Sequence, residues 1–160
     1  MNKIKVNLGA GQKPIKGFVN CDIVPFKGIQ KVFDINEKWD FKDNSVDYLE
    51  CRMVFEHVQD IEHFLRELFR VLKVKGYFKI TTINFSFWRY RLAFLFGKFA
   101  KQSCFHIDHC WLFKPSDLEA IFRQHCFRIK VGGKGLLPYP NLFYSYLEFD
   151  GYKCSGGKKT

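Results

Sequence analysis

A short glycine-bearing loop is the first feature of the chain whose residue types could do chemistry. Gly9 and Gly11 flank Ala10 directly after an apolar segment. Glycine lacks a Cβ and adopts positive φ readily, so a ligand can lie directly on such a backbone. Pro14 stands where the dinucleotide-binding pattern G-x-G-x-x-G has its third glycine, and P-loop spacing is absent. The loop alone fits a nucleotide site and a ligand-free tight turn equally well.

Carboxylates close the next two predicted strands. Asp22 ends the second strand and Asp34 ends the third. Parallel sheets bind ligands at the carboxyl ends of their strands, near the point where the strand order reverses. A carboxylate in that position can accept hydrogen bonds from both hydroxyls of a ribose. The two aspartates therefore favour a nucleoside site beside the glycine loop.

His57 follows Glu56 just beyond the predicted fourth strand. An imidazole in this position can serve as a general base for a hydroxyl or amine. The alternative is that Glu56 and His57 begin a helix and form only local hydrogen bonds. Both interpretations remain open from the residues alone.

Four potential metal ligands lie close together as Cys104-x-His106-x-x-His109-Cys110. Structural zinc sites normally use two separated pairs of ligands, and so dense a cluster, with two adjacent members, would strain a tetrahedron. We therefore predict no metal from this pattern.

The elements that must position these residues follow from hydrophobic periodicity. Apolar or alternating segments predict strands over 3–8, 18–22, 31–34, 46–52, 77–83, 127–131 and 142–149. An apolar stripe predicts a helix from Ile61, with Asp60 as N-cap and Gly76 as its end. A second helix is predicted over 116–125, opened by a capping box of Ser116 and Glu119. Strands separated by crossovers and closed by a hairpin indicate an α/β fold with a mostly parallel sheet.

Length and composition limit the classes of protein. A chain of 160 residues, 47% apolar and 26% charged, predicts one globular domain over 1–154 with a disordered Gly/Lys-rich tail at 155–160. No apolar run approaches the roughly 20 residues of a membrane span, and no secretory signal is visible. Six scattered cysteines lack the density of a disulfide scaffold. We expect a cytoplasmic protein with reduced thiols.

The chain is basic and aromatic, and unevenly so. Its net charge is +10, with 14 Lys/Arg against 11 Asp/Glu in residues 1–80 and 12 against 5 in residues 81–160. Much of the 18% aromatic content lies in residues 84–113, interleaved with Lys and Arg. Three interpretations compete: a helix packed over the end of the sheet, a lid that contacts a membrane surface through 85–101, and a nucleic-acid platform, which is the least favoured.

Five segments, taken together, resemble the class I S-adenosylmethionine-dependent methyltransferases. The resemblance is close over residues 3–83 and loose to about 131. It rests on 6–11 (Val-Asn-Leu-Gly-Ala-Gly), 17–22 (Gly-Phe-Val-Asn-Cys-Asp), 41–48 (Phe-Lys-Asp-Asn-Ser-Val-Asp-Tyr), 56–57 (Glu-His) and 67–73 (Glu-Leu-Phe-Arg-Val-Leu-Lys). It implies a Rossmann-like, mostly parallel seven-stranded sheet with a C-terminal antiparallel hairpin. The first helix is expected to be shortened, because few residues separate Gly11 from the second strand.

The resemblance also implies a cofactor, S-adenosylmethionine, and the residues that hold it. In such enzymes the glycine loop passes beneath the methionine, the second strand ends at the ribose, the third runs along the adenine, and the end of the fourth flanks the sulfonium. Asn7 stands where the family usually has an acidic residue. The implied cofactor-binding residues are Asn7, Gly9, Ala10, Gly11, Asp22, Ile23, Asp34, Ile35, Cys51, Arg52 and Met53.

For the acceptor, the resemblance favours a small molecule, a sugar or a lipid-linked glycan over nucleic acid. His57 joins His106 and His109 as candidate catalytic residues, because a His-x-x-His often precedes the last helix near the acceptor pocket of similar methyltransferases. The alternative is a degenerate domain of the same fold that binds a membrane, RNA or protein partner without catalysis. The oligomeric state is not indicated by the sequence.

Overall fold

The computed structural model describes residues 3–97, 109–132 and 145–154. Within these residues, seven strands, three helices and one turn of 3-10 helix follow in chain order. They are β1 (Lys5–Leu8), β2 (Val19–Asp22), β3 (Lys31–Val32), β4 (Val46–Arg52), the 3-10 turn (Phe55–His57), α1 (Ile61–Val71), β5 (Leu72–Ile83), α2 (Trp88–Leu95), α3 (Pro115–Gln124), β6 (Phe127–Gly132) and β7 (Tyr146–Lys153).

All seven strands form one sheet in the order β3-β2-β1-β4-β5-β7-β6. The first five pair in parallel, while β7 runs antiparallel to both β5 and β6. The chain builds outward from β1 to β3 and then returns to place β4 on the other side of β1, so the strand order reverses between β1 and β4. The predicted α/β class, with a mostly parallel sheet and a C-terminal antiparallel pair, is confirmed.

One face of the sheet carries the hydrophobic core. Leu49, Phe78 and Phe149 point into it and meet buried side chains of α1 and α3. Phe122 of α3 stacks on Phe78 at a centroid distance of 5.4 Å and meets Phe149 edge-on at 5.0 Å. Each fully buried phenylalanine contributes roughly 1.5–3 kcal/mol to stability. This aromatic packing fixes both helices against the same face.

The opposite face carries a continuous row of polar side chains. Cross-strand register aligns one polar residue from each of six strands: Asn20, Asn7, Glu50, Lys79, Asp150 and Lys130. Ion pairs tie this row to its neighbours, with Glu50 bonded to Arg52 at 2.5 Å and Lys79 to Glu148 at 2.9 Å. We call these six residues the polar row.

A loop without helix covers one end of the polar row. Residues 9–18 form only turns between β1 and β2. The Asn20 Oδ1 atom accepts hydrogen bonds from the Asn7 side chain at 2.9 Å and from the Ile15 N–H at 2.7 Å. These bonds satisfy two buried amides and hold the loop against the sheet.

Helix α1 begins as predicted and ends earlier. Asp60 caps it by accepting a hydrogen bond from the His63 N–H at 2.9 Å. The chain turns extended at Leu72, so the prediction that the helix ends at Gly76 is wrong. Gly76 lies inside β5 next to a register shift, where a Cβ would come within 2.7 Å of the Lys73 carbonyl oxygen. The glycine marks an irregularity in a strand, which resembles a helix stop in sequence.

A clamp centred on Arg70 ties α1 to the loop before β4. Its guanidinium donates to Glu67 at 2.6 Å, to Asp43 at 2.8 Å and to the carbonyl oxygens of Phe41 and Trp39. Glu67 also accepts from the Trp39 N–H at 2.7 Å. The clamp holds the segment that connects β3 to β4 and so supports the edge of the sheet where β3 ends.

Two C-terminal boundaries differ from prediction. Helix α3 starts at Pro115, and the carboxylate of Asp117 accepts from the Lys114 N–H at 3.4 Å, so the predicted capping box of Ser116 and Glu119 is wrong. The last strand runs to Lys153 because its ammonium group is drawn inward to the Phe69 and Leu72 carbonyl oxygens. Residues 142–144 of the predicted strand and the predicted tail at 155–160 lie outside the described residues.

Candidate functional site

A cavity of about 340 Å³ opens at the carboxyl ends of β1, β2 and β3, beside the point where the strand order reverses. Open parallel sheets bind their ligands at this place. The cavity is lined by Leu8, Gly9, Cys21, Asp22, Ile23, Phe33, Asp34, Ile35, Asn36, Val54, His57 and Gln59. Five of the predicted cofactor residues are therefore together: Gly9, Asp22, Ile23, Asp34 and Ile35.

Gly9 forms the floor of this cavity by close packing on the turn after β4. It has a φ of +64°, and a Cβ on it would lie 2.1 Å from Cγ2 of Val54. Any other residue would be strained here, because the backbone conformation favours glycine and because Val54 fills the space that a Cβ would need. The glycine loop after β1 and the segment after β4 are thus in direct contact.

Asp22 is fixed by the two loops that flank it. Its Oδ2 accepts a hydrogen bond from the Gly11 N–H at 2.7 Å, and its Oδ1 accepts from the Val24 N–H at 3.0 Å. Each carboxylate oxygen has a second lone pair to offer. The side chain is therefore held ready to accept hydrogen bonds from two adjacent hydroxyls of a ligand.

Asn36 connects the third strand's loop to the segment after the 3-10 turn. Its backbone and side-chain N–H groups donate to the Asp34 Oδ1 at 2.8 and 2.9 Å, and its Oδ1 accepts from the Gln59 N–H at 2.8 Å. Asn36, Gln59, Phe33 and Val54 line the cavity and were not predicted. Asn36 could have been predicted from the sequence, because it is polar and directly follows Asp34-Ile35 at the end of a predicted strand.

The remaining predicted cofactor residues lie outside the cavity lining. Asn7 belongs to the polar row, and Cys51 is fully buried in the core, where burial raises its pKa well above the ordinary thiol value. Arg52 is exposed and paired with Glu50. Ala10 and Gly11 continue the glycine loop. Met53 has a φ of +54°, a strained conformation for a residue with a side chain.

The turn that follows β4 places His57 in the cavity lining, with Glu56 beside it. They occupy a single 3-10 turn, so the interpretation that they begin a helix is wrong. Glu56 is 1% exposed. Its Oε2 accepts from the Thr82 hydroxyl at 2.9 Å, whereas its Oε1 has no hydrogen-bond partner in the described part of the chain. Burial raises the pKa of Glu56 above its ordinary value.

His109 lies against this turn. Its ring is 4.7 Å from that of His57, measured between centroids. Two hydrogen bonds to backbone carbonyl oxygens hold the segment in place: the Cys110 N–H donates to Glu56 at 2.8 Å, and the Trp111 indole N–H donates to Val58 at 2.8 Å. His106 lies outside the described residues, as does Cys104 of the predicted ligand cluster.

Helix α2 presents an apolar stripe outward, near this edge of the sheet. Trp88, Leu92, Leu95 and Phe96 follow helical spacing and are all exposed, with Leu95 at 78%. The helix is held to the sheet by Tyr90, whose buried side chain packs against Ile83. In the described residues no helix has the length and apolar character needed to cross a bilayer.

The cavity fits a nucleoside cofactor on geometric grounds. Gly9 packs on Val54 and joins the glycine loop to the turn after β4 in the cavity wall, and a fixed carboxylate at the end of β2 can receive a ribose. Asp22 and Asp34 provide negative potential within a basic protein, which suits a cationic sulfonium.

Comparisons with known proteins agree with this geometry. The methyltransferase domain family matches residues 11–129. None of the curated proteins compared with the chain matches it. A solved S-adenosylmethionine-dependent methyltransferase from Thermotoga maritima, described as a possible histamine N-methyltransferase, superposes with a TM-score of 0.70 at 18% identity, covering 96% of this chain and 83% of that one.

Two further structures show the same fold. An S-adenosylmethionine-dependent methyltransferase from Archaeoglobus fulgidus has a TM-score of 0.68 at 15% identity, covering 94% of this chain and 86% of that one. Phosphoethanolamine N-methyltransferase 2 from Haemonchus contortus, in complex with phosphomonomethylethanolamine and S-adenosylhomocysteine, has a TM-score of 0.65 at 13% identity, covering 97% of this chain and 49% of that one. The chain thus belongs to the methyltransferase domain family and has the class I fold, whose cofactor is S-adenosylmethionine.

Proposed function

We propose that this protein is an active methyltransferase that transfers the methyl group of S-adenosylmethionine to a small molecule, a sugar or a lipid-linked glycan. The observation that carries the proposal is the cavity between Gly9 and Asp22 at the carboxyl edge of the sheet. It combines a glycine loop that packs on the turn after β4 with a carboxylate fixed at the end of β2. The first shapes the cavity wall, and the second can receive the hydroxyls of a ribose.

The residues of the protein would bind the cofactor and orient it. When bound, the cofactor supplies an already activated methyl group, so alignment with the acceptor can provide much of the rate acceleration. Asp22 would receive the ribose hydroxyls, and Asp34 and Ile35 would hold the base. The glycine loop at Gly9 would hold the methionine part. Val54 packs beneath Gly9 and keeps the floor from shifting.

His57 is the candidate proton acceptor in the cavity lining. It lines the cavity, and His109 lies beside it. A hydroxyl or amine acceptor loses a proton during methyl transfer, and an imidazole nitrogen of His57 can take it. This assignment supports acceptors that carry an oxygen or nitrogen nucleophile.

The outward stripe of α2 supports an acceptor held at a membrane surface. Trp88, Leu92, Leu95 and Phe96 form an apolar face, and Arg89 and Arg91 flank it. An apolar face with basic flanks is typical of peripheral membrane contact. The nucleic-acid alternative has no comparable support, since stacking platforms need aromatic faces aligned along a basic groove.

Calorimetric titration with S-adenosylmethionine and S-adenosylhomocysteine tests the proposal. We expect one ligand per chain and a loss of at least ten-fold in affinity for Asp22→Ala. Glu119→Gln, a substitution in an exposed ion pair on α3, should bind as the unchanged protein does. If the freshly purified protein binds neither compound and carries none through purification, it is the degenerate, non-catalytic domain instead.

A further inference from the structure

Glu56, His57 and His109 form a cluster beside the cofactor cavity, and His57 belongs to both. Each offers one potential ligand atom, and the three atoms lie within 4.8 Å of one another. Two come from the 3-10 turn after β4, and the third comes from a segment 52 positions later that is bonded to the same turn. We propose that these three side chains bind a divalent transition-metal ion at the acceptor side of the cavity.

The buried carboxylate is the strongest single observation. Glu56 is 1% exposed, and its Oε1 atom has no hydrogen-bond partner among the described residues. A buried unsatisfied carboxylate oxygen is costly, and such groups usually have a ligand or a functional role. A cation bound there removes the penalty, because it compensates the charge and fills the missing contact.

The surroundings of the cluster are those of a metal site. The Thr82 hydroxyl donates to the other oxygen of Glu56 at 2.9 Å and orients the carboxylate, as outer-sphere partners of metal ligands do. His109 is held by the hydrogen bond from the Cys110 N–H to the Glu56 carbonyl. Ligand atoms around one ion are about 3.0–3.5 Å apart, so small rotations of the two partly exposed imidazoles close the site.

The ligand chemistry selects the ion. Two imidazole nitrogens and one carboxylate oxygen suit Zn²⁺, Mn²⁺, Fe²⁺ and Co²⁺, whereas Mg²⁺ and Ca²⁺ prefer oxygen ligands throughout. Three protein ligands leave at least one coordination position open, as catalytic sites do. This site differs from the Cys104–Cys110 pattern, in which we predicted no metal, because it takes one histidine from that pattern and both other ligands from the turn after β4.

The open position has a specific use if the protein is a methyltransferase, and this part of the inference rests on the proposed function. His57 belongs both to the cluster and to the cavity lining, so the ion lies at the boundary between them. An acceptor hydroxyl bound to the ion loses its proton to water more readily, because the ion lowers its pKa. Ligation then makes His57 a metal ligand rather than the proton acceptor. The favoured acceptors are those that coordinate through oxygen.

Metal titration of chelator-treated protein tests the site. We expect one Zn²⁺ per chain by calorimetry, and a Co²⁺ visible spectrum without thiolate charge transfer, since the ligands are nitrogen and oxygen. Glu56→Gln and His109→Ala should each weaken binding at least ten-fold, and Thr82→Val about ten-fold. His125→Ala is the matched control, because His125 faces Glu62 at 3.1 Å on the surface and offers a two-ligand site of the same chemistry. Cys110→Ser should also bind normally.

Either of two results overturns the proposal. One is that His109→Ala binds the metal ion as tightly as the unchanged protein; the other is that the unchanged protein binds the ion no more tightly than a surface histidine does. Circular dichroism of each variant separates loss of the site from loss of the fold. If Glu56→Gln does not fold, His109→Ala decides, because His109 is only partly buried. Titration of the metal-free protein with S-adenosylhomocysteine runs in parallel. If the protein binds metal but not the cofactor, the metal site stands and the methyltransferase proposal is rejected. If it binds the cofactor but not metal, the methyltransferase proposal stands and the metal site is rejected.

Discussion

Gly9 is a residue of the cavity lining that packs directly on the turn after β4. Its Cα approaches Val54 so closely that even a methyl group would overlap Cγ2 at 2.1 Å, and its φ lies in the left-handed region. Gly11 has a similar φ of +52°, but a methyl group added to it would meet no atom within 4 Å. The two glycines share a backbone requirement and differ in the space around them.

This difference gives a residue-scale prediction. Gly9→Ala should lower S-adenosylhomocysteine affinity by at least ten-fold and stability by about 2–3 kcal/mol, since it adds overlap to backbone strain. Gly11→Ala is the matched control and should cost only about 1 kcal/mol. Chemical denaturation and calorimetry provide both measurements. Adding Val54→Ala should recover part of the loss in Gly9→Ala but none in Gly11→Ala; equal effects of the two single variants would contradict the packing argument.

Sequence reasoning found the part of the site that local pattern encodes. Asp22 and Asp34 each end a strand, and Gly9 follows one, so their positions could be predicted from the chain alone. The pairing of His109 with Glu56 could not, because it depends on how residues 109–113 dock on the turn after β4. Cys51 and Arg52 were assigned to the cofactor by resemblance, yet their side chains point to the core and to solvent.

At the scale of elements, the Arg70 clamp lets helix α1 hold the loop before β4 in place. Burial alone would raise the pKa of Glu67, but the hydrogen bonds from Arg70 and from the Trp39 N–H outweigh it and hold the pKa below its ordinary value. A carboxylate with a lowered folded-state pKa stabilises the protein above its unfolded-state pKa. That contribution is lost as the pH falls through the folded-state value.

We therefore predict that Glu67→Gln destabilises the protein by about 2 kcal/mol at pH 7, because charge-assisted hydrogen bonds are lost. The difference from the unchanged protein should shrink as the pH falls below about 4.5. Urea unfolding at several pH values measures it. Glu119→Gln, in an exposed pair 3.7 Å apart, should change stability by less than about 0.5 kcal/mol. A difference for Glu67→Gln that does not change with pH would contradict the prediction.

Helix α2 supports a second prediction at this scale. Leu95→Glu/Phe96→Glu places charges in its outward apolar stripe and should abolish binding to anionic phospholipid vesicles, because burial of the stripe supplies the attraction. Flotation of the protein with vesicles measures it. Val74→Glu is the matched control, since Val74 is an exposed apolar residue on β5 away from α2. Absence of flotation in the unchanged protein excludes membrane contact.

Hydrophobic periodicity predicted the order and type of the strands and of helices α1 and α3, but it did not predict all of their ends. Predicted and observed strand ends agree within two residues for β1, β2, β3 and β4. The errors fall at Gly76, at the start of α3 and at the last strand. Gly76 was expected to end a helix, but it lies in a register shift of β5, between Leu72 and Tyr77, which pair with β4. Local sequence cannot show that a partner strand is available.

At the scale of the whole molecule, one hydrophobic core joins the sheet to α1 and α3, and the cavity lies on its edge. We predict a single cooperative unfolding transition that a bound ligand shifts as a unit. At about 100 times its dissociation constant, S-adenosylhomocysteine should add about 2.7 kcal/mol and raise Tm by roughly 5–10 °C. Differential scanning calorimetry measures this. Asp22→Ala, with an affinity at least ten-fold lower, should show about half that shift or less at the same concentration. Two transitions would contradict the single core.

The polar row also governs how the strands can assemble. In β4, β5 and β7 the charged members alternate with core residues, as in Leu49-Glu50-Cys51 and Phe78-Lys79-Ile80. A slip of one residue in any of these pairings would drive a charge beneath α1 and α3 and expose a core side chain to water. The charged residues on one face of the sheet thus disfavour a one-residue slip and favour the native alignment of its central strands.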